Sequence, residues 1–141
     1  MTVDELLERA RSRLERLEPG QAAAAMRHGR ALLIDIRSET QRARDGLVPG
    51  ALFVPRNALE WRCDPSSPHR DLRIDGLAQT LIVMCDEGYQ SSLAAATLHE
   101  LGITRATDVI GGFRAWRDAG LRVQGANLPS RRSAGTSEPV A

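Results

Sequence analysis

The chain predicts a three-layer α/β/α fold, with helices on both faces of a central, mainly parallel sheet and one extra helix at the N-terminus. Three observations predict it. Strand-like and helix-like segments alternate along the sequence, the order that builds parallel sheets. Leu81, Ile82, Val83 and Met84 form an unbroken apolar run, which suits a strand covered on both faces. That run passes through a short loop containing Gly88 straight into a helix-forming stretch, so a strand end, a tight turn and a helix start fall together.

The elements follow in order. Thr2 and Glu5 have capping-box spacing, and Val3, Leu7, Ala10, Leu14 and Leu17 recur at intervals of three and four, so residues 1–16 predict an amphipathic helix. Glu5 and Arg9 add a favourable helical charge pair. The apolar stripe of this helix packs on the domain or, alternatively, serves dimerisation or partner docking. Pro19 starts a second helix that runs through AAAAMRH and ends at Gly29. A strand over 31–36, a helix from Ser38 to about Arg44, a strand over 51–54 and a short helix around Asn57 to Arg62 come next. A loop through Pro65 and Pro68 precedes the strand over 80–84.

The helix after Cys85 contains Leu93, Ala94, Ala95, Ala96, Thr97, Leu98 and Leu101, is capped by Ser91 or Ser92, and stops at Gly102. A strand over 106–110 and a helix from Gly112 to Ala119 close the pattern, with Phe113 and Trp116 assigned to the core. Residues 17–123 form the α/β domain. The tail over 124–141, small, polar and turn-forming, is expected to be disordered.

Composition sets limits on function. With 141 residues, 42% hydrophobic and a net charge of +1, the chain describes one ordinary globular domain without the basic excess of a nucleic-acid binder. All 19 basic residues are arginine, which leaves no lysine for Schiff-base chemistry. The charged N-terminal stretch is unlike a secretory signal, and no apolar run is long enough to cross a bilayer, so a cytoplasmic location is expected. His28, His69 and His99 lack ligand spacing with one another or with cysteine, and no metal site is expected. Cys63 is read as structural.

Cys85 is the candidate nucleophile. It stands at a strand's carboxyl end, where loop amides and the unpaired first turn of the next helix converge on its sulfur and favour the thiolate. Four segments around it then carry a resemblance. LLIDIRSE at 32–39, GLVPGALFVP at 46–55, the Cys85 loop, and VIGGFRAWRDAGLRV at 109–123 resemble, in order and spacing, the motifs of the rhodanese-like family, whose single domains carry sulfur as a cysteine persulfide. The resemblance implies a sulfurtransferase or persulfide carrier working by double displacement, with no metal or organic cofactor. Its partners are then a sulfane-sulfur donor and a thiol or other nucleophilic acceptor, a partner protein among the candidates.

It also implies a substrate-binding loop made of Asp86, Glu87, Gly88, Tyr89, Gln90 and Ser91, with Asp35 and Arg37 supporting it from the neighbouring strand or acting as a buried polar brace. One departure matters. The family's loop usually ends in arginine, and Gln90 stands there instead. An amide offers only neutral hydrogen bonds to an anion, and the carboxylates of Asp86 and Glu87 repel one, so thiosulfate is an unfavoured donor and a persulfide a better one. Family members that act on tetrahedral oxyanions have a loop one residue longer ending in arginine. This chain offers Ser91 there, which argues against a phosphatase. The alternative from another class is a weakly active or inactive interaction or redox-sensing module.

Overall fold

In the computed structural model, which describes residues 1–125, four parallel strands form one sheet in the order β2-β1-β3-β4. The elements are α1 (Val3–Arg11), α2 (Pro19–Arg27), β1 (Leu32–Asp35), α3 (Glu39–Asp45), β2 (Leu52–Phe53), a 3-10 turn (Arg56–Ala58) running into α4 (Leu59–Cys63), β3 (Leu81–Met84), α5 (Gln90–Glu100), β4 (Thr107–Asp108) and α6 (Gly112–Asp118). The predicted alternation is therefore present, with the outer strands shorter than expected. Beyond them the pairing continues as single bonds: the Val54 amide donates to the Asp35 carbonyl and the Val109 amide to the Val83 carbonyl.

Alternation along the two central strands builds the layers. Leu32, Ile34, Leu81 and Val83 face one core with Leu59, Ala94, Ala95 and Leu98 of α4 and α5. Leu33, Ile82 and Met84 face the other with Ala22, Ala23, Phe113 and Trp116 of α2 and α6. Every residue of β1 and β3 is buried, which explains their lack of a polar face. Each large apolar side chain so enclosed contributes roughly 1.5–3 kcal/mol.

The N-terminus departs from a single long helix. The Thr2–Glu5 capping box forms, but Glu5 is committed to the Thr2 amide and α1 stops at Arg11. Val3 is exposed, Ala10 is buried, and Leu14 reaches the α4/α5 core from outside the helix. Leu17 then lies beside Val109 as a parallel bridge, its amide on the Asp108 carbonyl and its carbonyl on the Ile110 amide. This segment covers the β4 edge, which would otherwise present unpaired backbone. At the other terminus Gln124 exchanges both backbone bonds with Leu47, so the ordered chain extends past the start of the predicted tail; the remainder of that tail, 126–141, lies outside the described residues.

Both cysteines are free, and their environments differ. Cys63 is fully enclosed at the end of α4, and burial, reinforced by Asp71 and Glu60, pushes its thiol up to about 12. A proton held more tightly in the fold than in the unfolded chain gives stability that is complete at neutral pH and fades as pH rises towards that value. Iodoacetamide at pH 8 is accordingly expected to label the native protein once, at Cys85, and the urea-unfolded chain twice. Peptide mass mapping distinguishes these outcomes, and native labelling of Cys63 contradicts the enclosure described.

Candidate active site

The parallel register places Asp35 beside Met84, so the chain leaves β1 and β3 at the same edge of the sheet. Ile36 and Arg37 emerge from one strand there, Cys85 and Asp86 from the other. The Cys85 side chain accepts hydrogen bonds from the amides of Gly88 (3.1 Å) and Ser91 (3.3 Å). The carbonyls that share peptide units with three other loop amides are held away from the sulfur. The Cys85 carbonyl accepts from the Phe113 amide (2.8 Å) and the Asp86 carbonyl from the Arg114 amide (3.1 Å), both in the first turn of α6. The Gly88 carbonyl accepts from the guanidinium groups of Arg11 (2.7 Å) and Arg16 (3.1 Å).

A peptide unit is planar and trans, so its amide points opposite to its carbonyl. Holding those three carbonyls outward leaves the amides of Asp86, Glu87 and Tyr89 pointing away from α6 and the arginines. None of the three donates to a group among the described residues. Their residues line, with Ile36, Arg37, Gln41, Gln90, Arg114 and Cys85 itself, a cavity of about 460 Å3. The arrangement is a nest of backbone donors around a sulfur, suited to holding negative charge.

Glycine makes this approach feasible. Gly88 has φ of +91°, and a Cβ there would lie 2.7 Å from the Gly111 nitrogen. Gly112, at φ +63°, would put a Cβ 2.5 Å from the Cys85 carbonyl oxygen. The sequence Gly111-Gly112 thus lets the β4–α6 turn touch the cysteine loop backbone to backbone.

The other predicted residues divide into those at the cavity and those behind it. Asp86, Glu87, Tyr89, Gln90 and Arg37 line the cavity with Cys85, whereas Asp35 does not. Asp35 is fully buried and holds Arg37 through both carboxylate oxygens and Arg42 through one. Arg37 also reaches the Gly46 carbonyl and stacks on Phe113, 3.8 Å from the ring centre, so the pair acts on the loop through the residue that holds the Cys85 carbonyl. Its Nη1 and the Oδ1 of Asp86 are buried without partners among the described residues, two polar atoms of opposite sign on residues of one cavity.

Two expectations are corrected. Ser91 and Ser92 do not cap α5. Tyr89 occupies the cap position with no side-chain bond, and both serine hydroxyls donate instead to Oδ2 of the buried Asp108 at 2.7 Å. The amides of the first turn are thereby free of a side-chain cap, and one of them binds the sulfur. The acidic pair also does not stand alone at the loop tip: Arg114 of α6 binds Asp86 (3.0 Å) and approaches Glu87 (3.4 Å), offsetting part of their repulsion.

The Gln90 amide oxygen accepts from Arg56 Nε (3.0 Å), and Arg56 also pairs with Glu60. Tyr89 is well exposed with the Arg11 guanidinium over its ring. Arg11, Arg16, Arg56, Asp108 and Arg114 are the participants that sequence reasoning missed; of these only Arg114 carried a signal, its place just after the double glycine. No group of three His, Cys, Asp or Glu side chains among the described residues is placed to hold a metal ion.

Comparison with known proteins agrees with this architecture. The family model described as Rhodanese-like domain matches residues 18–119. The thiosulfate sulfurtransferase GlpE of Stutzerimonas stutzeri is 32% identical over 99 residues, covering 70% of this chain and 82% of that protein. Among solved structures, a Rhodopseudomonas palustris protein of unknown function, described as a possible tyrosine phosphatase, superposes with a TM-score of 0.80 at 32% identity over 88% of this chain and 95% of the other. A human single-domain sulfurtransferase superposes with a TM-score of 0.63 at 26% identity, covering 73% and 95%.

The backbone contact at Gly112 is testable. Gly112→Ala is expected to lower unfolding free energy by roughly 2 kcal/mol or more, from strain and overpacking together, and to reduce Cys85 alkylation sharply. Urea titration with timed labelling measures both, and a variant indistinguishable from the parent contradicts the contact.

Proposed function

The chain belongs to the rhodanese-like family, and from that premise we propose that it is a sulfurtransferase or persulfide carrier in which Cys85 takes up and passes on sulfane sulfur. The observation that carries this reading is the loop itself: two amides already on the Cys85 sulfur, and three more without partners among the described residues, on residues lining the same cavity.

The reaction is a double displacement. The Cys85 thiolate attacks the outer sulfur of a persulfide donor; the donor's S–S bond breaks, and the donor leaves as its thiolate while a persulfide forms on Cys85. The terminal sulfur lies among the loop amides, which stabilise its charge without reorganising. An acceptor nucleophile then attacks that outer sulfur, and Cys85 departs as thiolate. Each step exchanges one bond to sulfur for another. No external oxidant or reductant is consumed.

Donor choice follows from the charges. Arg114 and Arg37 line the cavity, and Arg56 reaches Gln90 beside it. Each is paired with a carboxylate, Arg114 with Asp86 and Glu87, Arg37 with Asp35 and Arg56 with Glu60. A thiosulfate dianion would therefore meet guanidinium groups whose charge is already offset, with Arg37 Nη1 unbonded among the described residues. The Stutzerimonas relative is named for thiosulfate, whereas here a persulfide on a thiol or a partner protein is the better donor. Tyrosine phosphatase activity has less support. Phosphate monoesters need an arginine closing over the oxyanion, and at that position Ser91 is buried with its hydroxyl on Asp108.

Incubation with a persulfide donor is expected to add one sulfur atom to the intact mass, removable by cyanide and absent in Cys85→Ser. Thiosulfate is expected to load the protein at least about tenfold more slowly, a difference equivalent to one missing charge-assisted contact. Absence of any cyanide-labile sulfur would defeat the reading, and efficient turnover of thiosulfate would defeat its donor assignment. Hydrolysis of p-nitrophenyl phosphate dependent on Cys85 would favour the phosphatase instead.

A further inference from the structure

We propose that Arg11 and Arg16, contributed by the N-terminal segment, are positioning residues that supply the thiolate-stabilising charge a loop arginine would otherwise give, and that they do so from behind the loop. The inference rests on Cys85 being the reacting nucleophile. Its geometry is independent of any donor. Arg11 Nη2 and Arg16 Nη2 both donate to the Gly88 carbonyl, and Arg11 Nε donates to the Ser92 hydroxyl at 3.0 Å. Arg16 grips Asp108 through two bonds, Nε to Oδ1 at 2.8 Å and Nη2 to Oδ2 at 3.2 Å. Asp108 in turn fixes Ser91 and Ser92 through their hydroxyls.

These contacts end on the residues that touch the sulfur. Gly88 and Ser91 are the two whose amides bind Cys85, and the network grasps the first by its carbonyl and the second by its side chain. Two guanidinium groups face one carboxylate here, leaving a net positive charge in a part-buried setting where screening is weak. Neither arginine lines the cavity. They are therefore placed to favour a thiolate or a persulfide anion through the loop, while offering nothing to an oxyanion in the pocket. A loop arginine would do both.

Arg11→Met keeps length and apolar stem, and its effect is best read with Arg11→Lys beside it, using the full chain. The expected result is an iodoacetamide rate at Cys85 about tenfold slower at pH 7 for the methionine variant, with the pH–rate profile displaced to alkaline values and the high-pH plateau unchanged. Lysine should restore most of the rate. A second variant, Arg16→Met with Asp108→Asn, removes one charge of each sign and keeps the net charge behind the loop. A smaller alkaline displacement than in Arg11→Met is therefore expected, with circular dichroism reporting whether it folds; a larger one contradicts the charge argument. A parental pH profile in Arg11→Met, or a fall in the plateau alone, overturns the proposal. Since alkylation needs no sulfur donor, this outcome is separable from a failure of sulfur loading.

Discussion

The orientation of the peptide units between Cys85 and Ser91 is the constraint on which the site depends. A cysteine at a strand end is an ordinary feature, and only inward amides make it a place for negative sulfur. The amides of Asp86, Glu87 and Tyr89 are directed by what holds the carbonyls of the same peptide units. Two first-turn amides of α6 hold the Cys85 and Asp86 carbonyls, and two arginines hold that of Gly88. The first turn of a helix has unpaired donors, so α6 satisfies its own end by fixing its neighbour's loop. Gly88 and Gly112 follow from the same requirement, because either side chain would separate the two backbones.

Two buried carboxylates, Asp35 at the end of β1 and Asp108 in β4, flank the loop from opposite sides of β3. Each is compensated by arginine, and each passes its order to the loop through a further residue: Asp35 through Arg37 and the Phe113 ring, Asp108 through the two serines. Buried ion pairs add little net stability, since desolvating both charges offsets most of their attraction. Their value here is positional. Removing one partner would strand a charge in the interior, so the arrangement admits few alternatives, and the loop inherits that lack of freedom.

Much of this was legible in the sequence because it is local. The β3 run, the Pro19 helix start, the start of α3 at Ser38 and the cysteine loop are written within spans of a few residues, and the structure forms each of them. Ser91 and Ser92 misled for the same reason. Locally they read as helix caps, but a buried carboxylate 16 and 17 positions away competes for their hydroxyls and wins. The arginine clamp was illegible. Arg11 lies 77 positions from Gly88 and Arg16 lies 92 from Asp108, and in a chain whose basic residues are all arginine no composition signal singles them out. Likewise the pairing of Asp86 and Glu87 with Arg114 depends on how α6 packs rather than on any pattern near the loop.

Thiolate stabilisation and anion recognition are distinct tasks, and a single arginine inside a loop performs them together. Here the cations near the loop are sorted by position. Arg11 and Arg16 lie behind it, bonded to its backbone and to the Asp108 cluster; Arg114 and Arg37 lie at the cavity wall, the first held by Asp86 and Glu87 and the second by Asp35. On the proposed reading a donor entering this cavity would meet carboxylates and guanidinium groups that already offset one another, so a small dianion would gain little on binding while the sulfur beneath stays supported. On that reading binding would be favoured by contact surface, which a persulfide carried on a larger thiol or a protein can provide and an inorganic ion cannot. Selectivity of this kind would come from pairing the pocket's cations with carboxylates rather than from adding a contact.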